Sequence, residues 1–202
     1  LGTTYREMGD YDNAMEIFTP ALTQTEEIGD KRGMGSSLNN IGFVHWSKGD
    51  YDKALDYLER SLEIREELGD KRGMGSSLNN IGIVYRNKSD YDKDLDYQER
   101  SLAIKEELGD KRGIGLVLHN IGNVYGIKGD LDKALDYIER SLKIAEELGD
   151  KFVAGFSLNS IGILSAEKGD YDQALDYFDR ALKIDEKLGY QPGMGYNLNS
   201  IG

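Results

Sequence analysis

Apolar residues recur along this chain at spacings of three and four, and the rhythm is interrupted by glycine-containing turns. Over residues 11–28 the spacing places Ala14, Ile17, Phe18, Ala21 and Leu22 on one helical face. Over 31–48 it selects Leu38, Ile41 and His45, and over 51–68 it selects Ala54, Leu55, Leu58, Leu62 and Leu68 as a buried stripe. Asp10, Asp30 and Asp50 stand directly before these segments, where a side-chain oxygen caps free amides. The pattern predicts further helices over 71–88, 91–108, 111–128, 131–148, 151–168 and 171–188. It also predicts the end of a helix before Gly9 and the start of another near Pro192. Pro20 lies inside the first full helix, where the lost hydrogen bond and ring clash cost about 3 kcal/mol and predict a kink.

The pattern is copied. GDKRGMGSSLNNIG, Gly29 to Gly42, returns letter for letter at Gly69 to Gly82. Looser versions begin at Gly109, Gly149 and Gly189, which fixes a period of forty residues. Such a period predicts a single solenoid with repeats 29–68, 69–108, 109–148 and 149–188 between partial repeats 1–28 and 189–202. Each unit of a solenoid buries its apolar face only against its neighbours. Gly42 falls where a partner helix approaches closely. The Gly33 and Gly35 pair reads as packing of small residues between helices, because no strand precedes it and no Lys-Ser/Thr follows.

The repeated columns are Leu38, Ile41, Gly42, His45, Ala54, Leu58 and Ser61 in one unit, and Leu118, Ile121, Gly122, Tyr125, Ala134, Ile138 and Ser141 in another. They resemble the tetratricopeptide repeat, whose signature has a large residue, Leu-Gly, Tyr, Ala, an aromatic and Ala at these offsets. The family's usual proline column carries Glu66 and Glu146, and the period exceeds the commoner one, as in the long-helix repeats of kinesin light chains and G-protein signalling modulators. The resemblance implies an all-α, right-handed α-solenoid of antiparallel helix pairs. It also implies a non-catalytic scaffold whose first helices line a concave groove for a protein or peptide partner.

Composition narrows the partners. A formal charge of -12 repels phosphate backbones and anionic lipid, which argues against nucleic acid and membrane surfaces. No apolar run approaches the ~18 residues of a membrane span. The absence of cysteine fits a reducing compartment, so a cytoplasmic location is expected. His45 sits in a column filled elsewhere by Tyr85, Tyr125 and Ser165, and His119 replaces the asparagine of Asn39 and Asn79, so no metal cluster or catalytic triad is expected. Asp50, Asp52 and Asp56 lack the remaining ligand and glycine of a calcium loop, and no cofactor is expected. The acidic runs around Glu63 to Glu67, interleaved with Arg60 and Arg65, read as solvated surface.

The candidate binding residues lie on the first helix of each unit, away from the apolar columns. Asn40, Asn80 and Asn120 form a ladder continued by Ser160 and Ser200, with Asn39, Asn79, His119, Asn159 and Asn199 beside it. In the family the matching asparagines contact the backbone of an extended partner, since an amide both donates and accepts. The alternative is that these amides bond the neighbouring helix. Neighbouring columns vary: Ser36, Ser76, Leu116, Phe156 and Tyr196; Phe43, Ile83, Asn123 and Ile163; Trp46, Arg86, Gly126 and Ala166. Charge is nearly absent from these columns apart from Arg86 and Glu167, so an uncharged or weakly charged segment with apolar anchors is expected.

Two further expectations concern packing. Asp94 and Gln98 occupy columns held by Ala54, Ala134 and Ala174 and by Leu58, Ile138 and Phe178, so they either strain a seam or shift its register. A repeat array cut at Leu1 and Gly202 leaves apolar columns such as Leu198 and Ile201 uncovered, which suggests a homo-oligomer formed through the terminal helices. The chain also fits the regulatory or sensory part of a larger enzyme or transcription factor.

Overall fold

The computed structural model describes residues 2–189, so the helix expected near Pro192, and with it Tyr196, Leu198, Asn199, Ser200 and Ile201, lies outside the described residues. The described chain is helical: α1 Gly2–Glu7, α2 Tyr11–Glu27, α3 Lys31–Ser47, α4 Tyr51–Glu67, α5 Lys71–Asn87, α6 Tyr91–Glu107, α7 Lys111–Ile127, α8 Leu131–Leu148, α9 Lys151–Glu167 and α10 Tyr171–Leu188. These bounds match the sequence pattern to within a residue at nearly every end. α2 continues through Pro20 without interruption.

One dipeptide explains the punctuation. Gly49 adopts φ +81° and donates to the Trp46 carbonyl, while the Asp50 amide reaches back to the His45 carbonyl, both at 2.9 Å. This left-handed glycine cap satisfies the last carbonyls of one helix. The following aspartate then opens the next helix: Gly33 donates its amide to Asp30 Oδ1 at 3.0 Å, and Gly73 and Gly113 do the same to Asp70 and Asp110. Asp50 departs from the expected role. Its side chain makes no cap bond and turns to Lys53 and His45, each at 3.4 Å. The Lys53 ammonium is the main cause that holds its carboxyl below the usual value. Ser89 is the one described non-glycine at positive φ, +61°, in the column that glycine fills elsewhere.

The chain divides into two compact units, one up to Ile104 and one from Lys105. In the first unit, α2 packs on α3, α3 on α4 and α4 on α5, while α1 packs on α2. Ala14, Phe18 and Leu22 meet Leu38, Ile41 and Val44 in one cluster, and Ala54, Leu55, Leu58 and Leu62 meet Leu78, Ile81 and Val84 in the next. Each fully buried Leu or Ile contributes roughly 1.5–3 kcal/mol. In the second unit Ala134, Ile138 and Leu142 meet Leu158, Ile161 and Leu164, with α7 on α8, α8 on α9 and α9 on α10. Leu68, expected in the stripe, is 42% exposed because α4 has already ended at Glu67.

Small residues set the helix spacing. A Cβ on Gly42 would lie 2.7 Å from Leu58 Cγ and 3.1 Å from the Ala54 carbonyl oxygen, so only glycine admits α4 this closely. Two turns earlier on the first helix of each pair, the carbonyls of Gly35, Gly75 and Gly115 accept hydroxyl bonds from Ser61, Ser101 and Ser141 at 2.7 Å. These serines are fully buried. Arg65, read from the sequence as surface, is also buried. Its Nη1 donates to the Gly73 carbonyl at 2.7 Å and to Ser77 Oγ at 2.8 Å, and desolvation pushes its pKa down. The expected surface position fails because Ser77 and Gly73 leave space on α5 that a long side chain fills.

The seam of the third unit keeps its register. Asp94 and Gln98 are both fully buried, and Arg86 Nε donates to Asp94 Oδ2 at 2.7 Å. Gln98 Nε2 donates to Asp94 Oδ1 at 3.1 Å and to the Asn79 carbonyl at 3.3 Å. The expected choice between strain and slippage is replaced by an ion pair, with Gln98 Oε1 left as a buried acceptor without a donor.

Candidate functional site

An α-helix turns about 100° per residue, so positions 32, 36, 39, 43 and 46 share one narrow face of α3. The residues are Arg32, Ser36, Asn39, Phe43 and Trp46, and their equivalents on α5 are Arg72, Ser76, Asn79, Ile83 and Arg86. Arg32 and Ser36 on this face are exposed, whereas Trp46 at its far end packs against the cluster that holds Leu78 and Ile81. α3 and α5 touch directly, so the two faces are neighbours.

Near the C-terminal ends of these helices the surface folds into a recess. Phe43, Trp46, Asn80 and Ile83 line it, with Leu58 and Val84 as floor. Its enclosed space is about 10 Å³, enough for a methyl group or one water. The Phe43 and Trp46 rings lie 4.8 Å apart at 58°. Trp46 Nε1 is buried and has no acceptor.

The asparagines bond both across helices, from α5 to α3, and along α5 itself. Asn80 Nδ2 donates to Asn39 Oδ1 at 3.1 Å, and Asn79 Nδ2 donates to Asn80 Oδ1 at 3.4 Å. Among the described residues Asn39 Nδ2 donates to no group. Asn39, Asn40, Asn79 and Asn80 are all half-buried, so water reaches part of each amide. Arg86 behaves differently from its column. Its guanidinium turns into the α5–α6 seam toward Asp94 and keeps 16% side-chain exposure.

In the second unit the equivalent face becomes apolar. On α9, Phe152 and Phe156 meet edge-on at 4.6 Å between centroids, and Ile163 continues their line. Leu116 on α7 stands in the Phe156 column, and Leu116, Phe152, Phe156 and Ile163 are exposed. His119, Asn120, Asn123 and Asn159 are half-buried beside them.

Sequence reasoning missed Arg32, Arg72 and Phe152. Each lies seven residues before an asparagine-column residue, Asn39, Asn79 and Asn159, two turns back on the same face. Arg112, in the same column, donates to Asp150 at 2.6 Å. Among the described residues neither Arg32 nor Arg72 has a carboxylate partner. No group of three His, Asp or Glu side chains among the described residues is placed to hold a metal ion. No helix among them is long and apolar enough to cross a membrane.

The tetratricopeptide repeat model matches residues 1–67, 33–107, 73–147 and 113–187, together most of the chain. The chain belongs to the tetratricopeptide repeat family. No curated protein matches it. Among solved structures, this tetratricopeptide repeat chain is similar to a Rap protein complexed with Competence and Sporulation Factor, at TM-score 0.89 and 18% identity over 97% of the chain and 55% of that structure. It is similar to the Rap conjugation gene regulator of plasmid pLS20 in complex with the Phr* peptide, at TM-score 0.85 and 16% identity over 97% of the chain and 54% of that structure. It therefore spans about half the length of those two proteins. The nearly identical TPR-like repeats of a Podosopora anserina putative kinesin light chain, in a variant crystal structure, give TM-score 0.72 and 14% identity, covering 93% of the chain and 92% of that structure. At these identities the likeness is one of fold.

Proposed function

We propose that the asparagine face of this tetratricopeptide repeat chain binds an extended segment of a protein partner. The observation that carries the reading is the recess between α3 and α5, where aromatic and aliphatic walls surround a space the size of one methyl group, and where the wall residue Asn80 bonds Asn39, whose Nδ2 is an unspent donor. An apolar side chain of the partner enters the recess, and its backbone carbonyl accepts from Asn39. Phe43, Trp46 and Ile83 supply the contact area.

Arg32 and Arg72 change the expected chemistry of the segment. They lie eleven residues from Phe43 and Ile83, roughly 16 Å along a helix, or about five residues of extended chain. Unpaired cations on a chain of net charge -12 favour an acidic side chain there, about five residues from the apolar anchor. The bound Phr* peptide of the Rap regulator supports a peptide ligand for this fold.

A phage library of twelve-residue peptides, panned on the full chain, tests the reading. Selected peptides should pair an apolar residue with an acidic one, and Phe43→Ala with Ile83→Ala should weaken them by about 10- to 100-fold in fluorescence anisotropy. Failure to select any peptide, or selection that ignores both substitutions, would remove the basis of the proposal.

A further inference from the structure

The third unit departs from its neighbours at three columns together. Arg86 replaces Trp46, Gly126 and Ala166; Asp94 replaces Ala54, Ala134 and Ala174; Gln98 replaces Leu58, Ile138 and Phe178. The structure brings all three to one place. Asp94 and Gln98 are fully buried, Arg86 bonds Asp94 at 2.7 Å, and Gln98 bonds Asp94 at 3.1 Å. Gly82 makes room for them, since a Cβ there would lie 2.7 Å from Gln98 Nε2 and 2.8 Å from Asp94 Oδ1. The network is incomplete, because Gln98 Oε1 has no donor. A half-satisfied polar cluster is a poor device for stability.

Its value lies elsewhere. α3 and α5 share fourteen identical residues with the turns before them, and they present the same packing groups: Leu38 and Leu78, Ile41 and Ile81, Gly42 and Gly82, Val44 and Val84. By apolar complementarity alone, a second helix fits either one. A chain of copied units can therefore fold out of order, with α6 docked on α3 and forty residues looped out, because the entropy of closing a loop rises only logarithmically with its length.

We propose that Arg86, Asp94 and Gln98 form a buried polar key that fixes α5 as the partner of α6 and so keeps the repeats in order. On α3 the carboxylate of Asp94 would face Trp46 and no cation. An unpaired buried carboxylate disfavours that pairing by on the order of 100- to 1000-fold. The key is one-sided: Arg86 can extend into solvent, whereas Asp94 on the buried face of α6 cannot.

Two variants test this on the full chain. Arg86→Gly with Asp94→Ala and Gln98→Ile copies the fourth unit's Gly126, Ala134 and Ile138. It should resist denaturant better than the wild type yet refold to a mixture, with the out-of-order fraction raised on the order of 100-fold. Those molecules are read by limited proteolysis of a looped-out forty-residue unit and, where units swap between chains, by light scattering. Trp46→Arg leaves the Arg86–Asp94 pair intact but gives α3 the same cation, and it should also raise that fraction. A single protease-resistant species from both variants, identical in size to the wild type, would overturn the proposal.

Discussion

Gly35 and Gly42 lie two turns apart on α3, and the structure assigns them opposite responses to the same substitution. In Gly42→Ala the new methyl would sit 2.7 Å from Leu58 Cγ, roughly 1 Å inside an ordinary carbon contact. Leu58 can rotate away, but the Ala54 carbonyl oxygen at 3.1 Å belongs to the backbone of α4. Relief therefore requires the two helices to part, an overpacking cost of about 1–3 kcal/mol. Against it stands the gain of about 0.5–1 kcal/mol from replacing glycine inside a helix. The net loss is about 1–2 kcal/mol. In Gly35→Ala the nearest atom is Arg65 Cγ at 3.5 Å, an ordinary contact, so the gain of about 0.5–1 kcal/mol stands unopposed. The pair should differ by about 2 kcal/mol, or roughly 30-fold in the opening equilibrium. Repeat arrays open locally, so native-state hydrogen exchange at the Val44 and Ala54 amides is the appropriate assay, supported by denaturant midpoints. Equal exchange in the two variants, or slower exchange in Gly42→Ala than in wild type, would refute the account of helix spacing.

Three other outcomes follow from particular contacts. Ser89→Gly should stabilise by about 1 kcal/mol, because Ser89 holds φ +61° where an L side chain is strained; a lower melting temperature would contradict this. Arg65→Ala should cost about 1–3 kcal/mol in chemical denaturation through lost hydrogen bonds and packing, whereas Arg65→Met, which keeps the volume, should cost under about 1 kcal/mol. Arg86→Ala should be pH-dependent. Burial already raises the Asp94 carboxyl above its usual value against the opposing pull of Arg86, and removing Arg86 raises it further. A raised carboxyl binds its proton more tightly in the folded state, so stability is greatest below the unfolded value of about 3.9 and falls as pH rises through the folded one. The deficit relative to wild type should therefore grow from pH 4 to about 3–5 kcal/mol at neutral pH, and adding Asp94→Ala should abolish that growth in denaturant titrations.

Periodicity alone determined the helices of this protein, their bounds and their pairing into forty-residue units, because each Gly-Asp turn carries both the left-handed cap of one helix and the opening residue of the next. The apolar columns Leu38, Ile41, Ala54 and Leu58 were legible for the same reason: helical spacing fixes which residues share a face. Tertiary structure decided the fate of polar residues. Arg65 and Asp94 read as surface or as strain, yet both are buried, since their partners Ser77 and Arg86 lie on another helix at distances that local spacing does not encode. The one sequence signal was that Arg86, Asp94 and Gln98 break their columns within a single unit. The asparagine columns were legible as a face, but only packing showed that Asn80 spends a donor on Asn39 and that Phe43, Trp46 and Ile83 close around a recess. Burial, and the pairing it compels, is a property of neighbouring helices and not of position along one.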